Sequence, residues 1–186
     1  FDLADLVAAT ATGDRPVLDL LDDACASVGA FALTGVPLPP GLLERVHRDT
    51  LEFFRLPQAV KARLQSTDGD QFVGWKGSAD NRNEFGFPDN KEMFHIGPRV
   101  DPTLAGPDAA GIVPAGSLGD GAECPLWPDE LPALRQSWHA YYRAMQDVGT
   151  QLGLAMAAAL GIPAPTWLGL TTDNWADLAA NYYPPV

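Results

Sequence analysis

The 186-residue chain is poor in positive charge, in histidine, in cysteine and in long apolar runs. Twelve Lys and Arg side chains face 24 Asp and Glu, for a formal net charge of -12. Such an acidic chain is repelled by nucleic-acid phosphates and by anionic membrane surfaces. No Lys/Arg-rich stripe offsets that balance, so neither kind of partner is expected, although a local basic spot for a small anion remains compatible with it. The two cysteines, Cys25 and Cys124, stand far apart and form no Cys-X-X-Cys, which excludes a zinc ribbon or a thioredoxin-type motif. Cys25 sits among apolar residues and reads as a small core residue. The pattern fits a reducing, cytoplasmic setting. No stretch of about 18 apolar residues is available to span a bilayer. The first residue is Phe1 and not Met, which leads us to expect a segment of a longer chain.

The remainder is an ordinary globular composition, 46% hydrophobic with a mean hydropathy of -0.06. The length suits one domain with a sizeable core. There are no repeats and no low-complexity tract. Leu3 to Ala9 reads as a short helix and Leu18 to Val28 as a better one, stopped by Gly29. Ala30 to Thr34 reads as a short buried strand, broken by Gly35 and Pro37. Apolar Leu43, Val46, Phe53 and Phe54 recur near helical spacing, ended by Leu56-Pro57, with a short helical turn following through Leu64. Phe72 to Trp75 and Met93 to Ile96 are strand candidates. Residues 98–132 hold many prolines and glycines and read as a long surface loop.

The longest regular element is a helix from about Leu134 to Leu160, roughly 27 residues and about 40 Å long. Leu134, Trp138, Tyr141, Met145, Val148, Leu152 and Ala159 form its apolar face. Gly161 supplies a left-handed cap and Pro163 blocks continuation. The last element is a strand, Leu178 to Tyr183. Alternation puts Leu178, Ala180 and Tyr182 on one face, and Ala179, Asn181 and Tyr183 on the other. An amide and a phenol then point the same way beside a small alanine. They can bond a ligand oxygen, or they can be the wet side of an edge strand; alternation alone fits both.

The histidines do not assemble into a metal site. His47-Arg48-Asp49 has a His-X-Asp spacing, but residues two apart on a helix diverge by about 200°, so the motif reads as a solvated helix face. His139 lies at a polar position of the long helix and reads as exposed. His95 reads as a structural or substrate-facing residue. Lys91 and Glu92, opposite charges in adjacent positions, read as scaffold. Arg82 has Asp80 and Glu84 beside it, which favours a local ion pair, though a guanidinium also suits a carboxylate.

Six segments in order resemble the isopenicillin N synthase-like family of iron(II)- and 2-oxoglutarate-dependent dioxygenases. They are Cys25 to Pro37; Phe53-Phe54-Arg55-Leu56-Pro57 with Lys61; Gly74-Trp75; Lys91-Glu92-Met93-Phe94-His95-Ile96-Gly97; Trp127-Pro128 with Leu131-Pro132; and Asn181-Tyr182-Tyr183-Pro184. The resemblance implies an α+β fold: a helical N-terminal region packed on a double-stranded β-helix, the jelly roll, with only its opening part in these residues. It divides the chain into an N-terminal region, 1–132, and a backbone helix with the start of the core, 133–186. It implies Fe(II), 2-oxoglutarate as co-substrate, dioxygen, and a small-molecule substrate to be hydroxylated, desaturated or cyclised. It carries 2-oxoglutarate binding onto Asn181 and Tyr183, and a substrate-covering role onto Trp75, Arg82, Asn83 and His95. The family's His-X-Asp, second His and Arg-X-Ser follow the Asn-Tyr-Tyr-Pro segment, so no metal ligand or catalytic residue is expected within the 186 residues. The alternative is a non-catalytic domain of the same descent that binds a ligand or partner. Substrate identity and oligomeric state are not legible in the sequence.

Overall fold

The computed structural model describes residues 1–65, 74–78, 85–87, 89–97, 127–171 and 176–185. Their contacts divide into two compact units, each assembled from two stretches of chain. One unit is Phe1–Pro40 with Arg143–Asp173, the other Gly41–Tyr142 with Asn174–Val186. This division follows a different line from a single boundary at 132/133. Among the described residues no helix is long and apolar enough to cross a membrane.

The first unit is helical. Helix α1 (Leu3–Thr12) starts where the Asp2 carboxylate accepts a hydrogen bond from the Ala4 amide, 2.9 Å, and ends at Gly13 in the left-handed conformation. Helix α2 (Arg15–Ser27) turns Leu18 and Leu21 inward. Residues 30–34, expected as a buried strand, form only one isolated bridge, Asp2 to Thr34, and run half-buried with Phe31 and Leu33 inward. The β-prone sequence has a single short partner there. The Leu3 amide donates to the Thr34 carbonyl, 2.9 Å, and the Thr34 amide to the Phe1 carbonyl, 2.8 Å. At Gly35 (φ 67°) the backbone turns away, and a Cβ would collide with the Asp2 carboxylate.

The long helix α5 (Pro132–Ala159) contributes its C-terminal part to this unit. Leu6, Leu21 and Ala155 make one core cluster, with Cys25, Leu152 and Met156 against it. Ala9, Leu18 and Ala159 make another. The helix ends in paired hydrogen bonds, Ile162 amide to Ala157 carbonyl (2.8 Å) and Gly161 amide to Ala158 carbonyl (3.1 Å), with Gly161 at φ 70°. A further helix, α6 (Ala164–Leu170), was not expected from the sequence. It lays Trp167 against Gly153 of α5, where a Cβ would meet the indole at 2.9 Å.

The second unit holds helices α3 (Leu42–Arg55) and α4 (Gln58–Ala62), the N-terminal part of α5, and a three-stranded antiparallel sheet. Its strands are β1 (Gly74–Lys76), β2 (Glu92–Ile96) and β3 (Leu178–Tyr182), in the order β1-β2-β3. Phe53, Phe54, Leu64, Trp75, Phe94, Ile96, Leu134, Trp138 and Tyr142 pack into its core. Phe94 is central, with ring centroids 4.4 Å from Phe53 and 5.1 Å from Trp138. Tyr142, not Tyr141, is the buried tyrosine of α5. His139 lies half-buried with its ring 5.5 Å from that of Trp127, where exposure was expected. On α3 His47 is exposed as expected, but Asp49 turns inward, 2% exposed, and accepts two hydrogen bonds from the neighbouring Arg48 guanidinium, 2.7 and 2.9 Å.

A charged knot ties α4 to the sheet. Lys61 on α4 is 4% exposed. Its ammonium donates to the Phe54 carbonyl, 2.8 Å, and to the Glu92 carboxylate of β2. The Trp75 indole N–H of β1 donates to the same carboxylate oxygen, 2.8 Å, and Lys61 lies 5.5 Å from the centre of that ring. A charge buried this deeply is tolerated because it is paired and hydrogen-bonded. Removing one partner strands the other. Lys61→Met is therefore expected to lower stability by about 3 kcal/mol or more, read as the shift in a urea unfolding curve of the complete gene product. A loss under about 1 kcal/mol would mean that the knot is an ordinary surface-like pair.

Candidate functional site

The sheet has two unlike faces, fixed by the pairing register. Trp75 pairs with Phe94, and Phe94 with Ala180. These residues, with Leu178 and Tyr182, lie on the core side. Tyr182 stacks on Phe54 with centroids 5.1 Å apart and planes 13° from parallel. The opposite face carries two cross-strand rows. One is Lys76, Met93 and Asn181; the other is Gly74, His95 and Ala179. Asn181 and Ala179 are exposed, and Tyr183, one residue past β3, is 64% exposed. Neighbouring strands lie about 4.8 Å apart, so each row spans about 10 Å across the three strands.

The two rows of this outer face gather an amide, an imidazole and an ammonium group, and the exposed phenol of Tyr183 follows directly after the strand. His95 stands between a glycine and an alanine, so nothing bulky flanks its ring within its row. All four side chains present N–H or O–H donors, which suits the oxygens of a small carboxylate. Asn181 is exposed and Tyr182 half-buried, as alternation along β3 leads one to expect, and Tyr183, one residue past the strand, is exposed as well. Of the four residues expected to cover a substrate, His95 lies on this face. Trp75 lies on the other, 4% exposed, with its indole N–H committed to Glu92. Its neighbour Lys76 takes the outward position. Arg82 and Asn83 fall outside the described residues, as do Phe72, Val73, Cys124 and most of the long loop.

The entry to β3 is held from two sides. The buried Tyr142 hydroxyl donates to the Ala176 carbonyl, 2.6 Å. The next residue, Asp177, lies 3.5 Å through Oδ2 from His95 Nε2, an ion pair whenever the imidazole is protonated. Its other carboxylate oxygen lies over Gly97, where a Cβ would collide with it. Neither Tyr142 nor Asp177 was singled out from the sequence. Among the described residues no group of three or more His, Cys, Asp or Glu side chains could hold a metal ion.

Burial, and then the negative charge of Asp177, push the Tyr142 phenol up to about 12 from an ordinary 10.0. In the unfolded chain the phenol ionises first as pH rises. Stability attributable to Tyr142 is therefore intact below about pH 10 and falls between about 10 and 12. Tyr142→Phe is expected to flatten that part of the stability–pH curve, checked by urea unfolding at stepped alkaline pH. An unchanged slope would show that the phenol is not held in this way.

Comparison with known proteins gives these features a family. Residues 1–111 match the model described as the non-haem dioxygenase in morphine synthesis N-terminal region. The chain is 30% identical over 174 residues to a validamycin A dioxygenase of Streptomyces hygroscopicus subsp. limoneus, covering 89% of this chain and 44% of that protein. It is 26% identical over 158 residues to a homoarginine-6-hydroxylase of Oryza sativa subsp. japonica, covering 85% of this chain and 45% of that protein. The chain thus spans about half the length of the curated relatives it matches. Among solved structures, a full-length Neurospora crassa protein in complex with alpha-KG superposes with a TM-score of 0.69 at 18% identity, over 99% of this chain and 53% of that one. JOX2 in complex with 2OG, Fe and JA gives a TM-score of 0.69 at 19% identity, over 100% of this chain and 48% of that one. At those identities the structural likeness speaks for the fold alone. The family model covers more than half of the sequence, and on that ground the chain belongs to the non-haem dioxygenases whose N-terminal region the model describes.

Proposed function

We propose that this chain is the N-terminal part of an Fe(II)- and 2-oxoglutarate-dependent oxygenase that oxidises a small molecule. Its helices would support the opening strands of a jelly roll, and the outer face of β2 and β3 would line the co-substrate pocket. Supporting this reading are the matched family model and the names of the relatives. These include a 2-oxoglutarate-Fe(II) type oxidoreductase of Metarhizium majus (strain ARSEF 297), 24% identical over 100% of this chain. The observation that carries it is the exposed Asn181 on the sheet face opposite the core, with Tyr183 exposed just beyond.

In this reading the Asn181 amide and the Tyr183 phenol donate hydrogen bonds to an oxygen of 2-oxoglutarate, orienting it before reaction. Tyr182, stacked on Phe54, holds the strand rigid beneath them. His95 is the residue we carry forward as a substrate-side contact, together with Arg82 and Asn83. Trp75 serves instead as scaffold through Glu92. Iron with 2-oxoglutarate and dioxygen supplies the oxidising power that no side chain has. Its ligands belong, in this proposal, to the half of the relatives' length that the 186 residues do not span. Whether the outcome is hydroxylation, desaturation or cyclisation is set by the substrate pocket. Relatives named for compounds as different as homoarginine and validamycin A are similar in sequence over the region seen here.

The test is iron-dependent conversion of 2-oxoglutarate to succinate by the complete gene product. Tyr183→Phe is expected to raise KM for 2-oxoglutarate by about three- to tenfold, the worth of one hydrogen bond, with Tyr182→Phe changing it less. Absence of succinate under reducing, iron-replete conditions would sink the proposal. Equal effects of the two substitutions would reject the assignment of faces.

A further inference from the structure

The residues that lead into β3 are gripped more firmly than a sheet edge requires. Antiparallel pairing with β2 already fixes Ile96 opposite Leu178 and His95 opposite Ala179. Yet three further groups converge on residues 176 and 177. Tyr142 of α5 donates to the Ala176 carbonyl at 2.6 Å, His95 of β2 lies 3.5 Å from the Asp177 carboxylate, and Gly97 leaves the space that this carboxylate fills. Gly97 has no positive φ, so its lack of a side chain answers a demand for room and not for backbone freedom. His95 itself stands over a row of small neighbours, Gly74 and Ala179. No bulky side chain in that row obstructs its approach to Asp177.

We propose that Asp177, clasped by His95 and seated on Gly97, is a positioning residue that sets the register of β3 and with it the placement of Asn181. This rests on the reading of Asn181 as a 2-oxoglutarate contact, but the device itself does not. A shift of one residue between β2 and β3 would bring Asn181 to the core side and Tyr182 to the outer side. The apolar stack of Tyr182 on Phe54 opposes such a shift at the far end of the strand. The His95–Asp177 clasp opposes it at the near end, where the outer row offers only small residues. With both ends held, the amide of Asn181 is presented at a fixed height above the sheet.

Two readouts separate this device from the functional reading. The first is hydrogen exchange of the 178–182 segment in the complete gene product, which needs no activity. Asp177→Asn and His95→Gln are each expected to speed exchange there by about three- to fivefold, the factor that a part-exposed ion pair supplies. The double variant should add nothing further, because either change alone already breaks the pair. Gly97→Ala, which leaves both partners in the sequence, should reproduce the effect by displacing the carboxylate. The second readout is kinetic. Asp177→Asn should raise KM for 2-oxoglutarate several-fold while kcat stays within about twofold, since a displaced contact weakens binding and not chemistry. Unchanged exchange in the Asp177 and Gly97 variants, or additive effects of the Asp177 and His95 changes, would overturn the proposal. Altered exchange without any 2-oxoglutarate turnover in the unmodified protein would uphold the clasp and remove the functional reading instead.

Discussion

The carboxylate of Glu92 is the point on which the second unit is organised. It receives a buried ammonium from Lys61 and an indole N–H from Trp75, so two separate stretches of chain converge on one side chain of β2. Because these bonds are directional and their partners are withdrawn from water, they fix which face of β2 looks inward. Once Glu92 faces the core side, Phe94 and Ile96 must follow it there, and Met93 and His95 must face out. Pairing then transmits that choice to β1 and β3, which is how Asn181 comes to stand opposite the core.

What could be read in the sequence was what local rules decide. The long helix announced itself through spacing and through Gly161 and Pro163, and its end is capped by the hydrogen bonds that those residues allow. The two faces of β3 followed from alternation over five residues. Errors arose where a neighbour in space decided the outcome. Tyr141 and Tyr142 differ by one position on a helix, and it is the second that packs in the core and finds the carbonyl of Ala176 for its hydroxyl. Residues 30–34 have the composition of a strand but a single bridge to pair with. The helix α6 is short and holds Pro165 and Gly169, which mask it from any reading by propensity.

The candidate site was legible in part for the same reason. Asn181 and Tyr183 could be grouped from their own strand. Trp75 was expected to help cover a substrate, and its inward orientation, set by the register with Phe94 and the Glu92 bond, is written nowhere near it. Asp177 has no signal at all in its own neighbourhood. Its partner His95 belongs to a distant segment, and the glycine that makes room for it is marked by nothing except being a glycine.

The burial of Lys61 has a consequence for how the molecule meets ionic strength. The chain carries a net charge of -12, so its exposed groups repel one another on balance, and mobile ions weaken that repulsion over a Debye length of about 8 Å at physiological salt. The attraction between Lys61 and Glu92 sits largely out of reach of those ions, with Lys61 only 4% exposed. Salt therefore screens mainly what pushes the fold apart and spares the pair that holds it together. These 186 residues are expected to gain firmness as salt is added, the opposite of what a fold pinned by surface ion pairs would do.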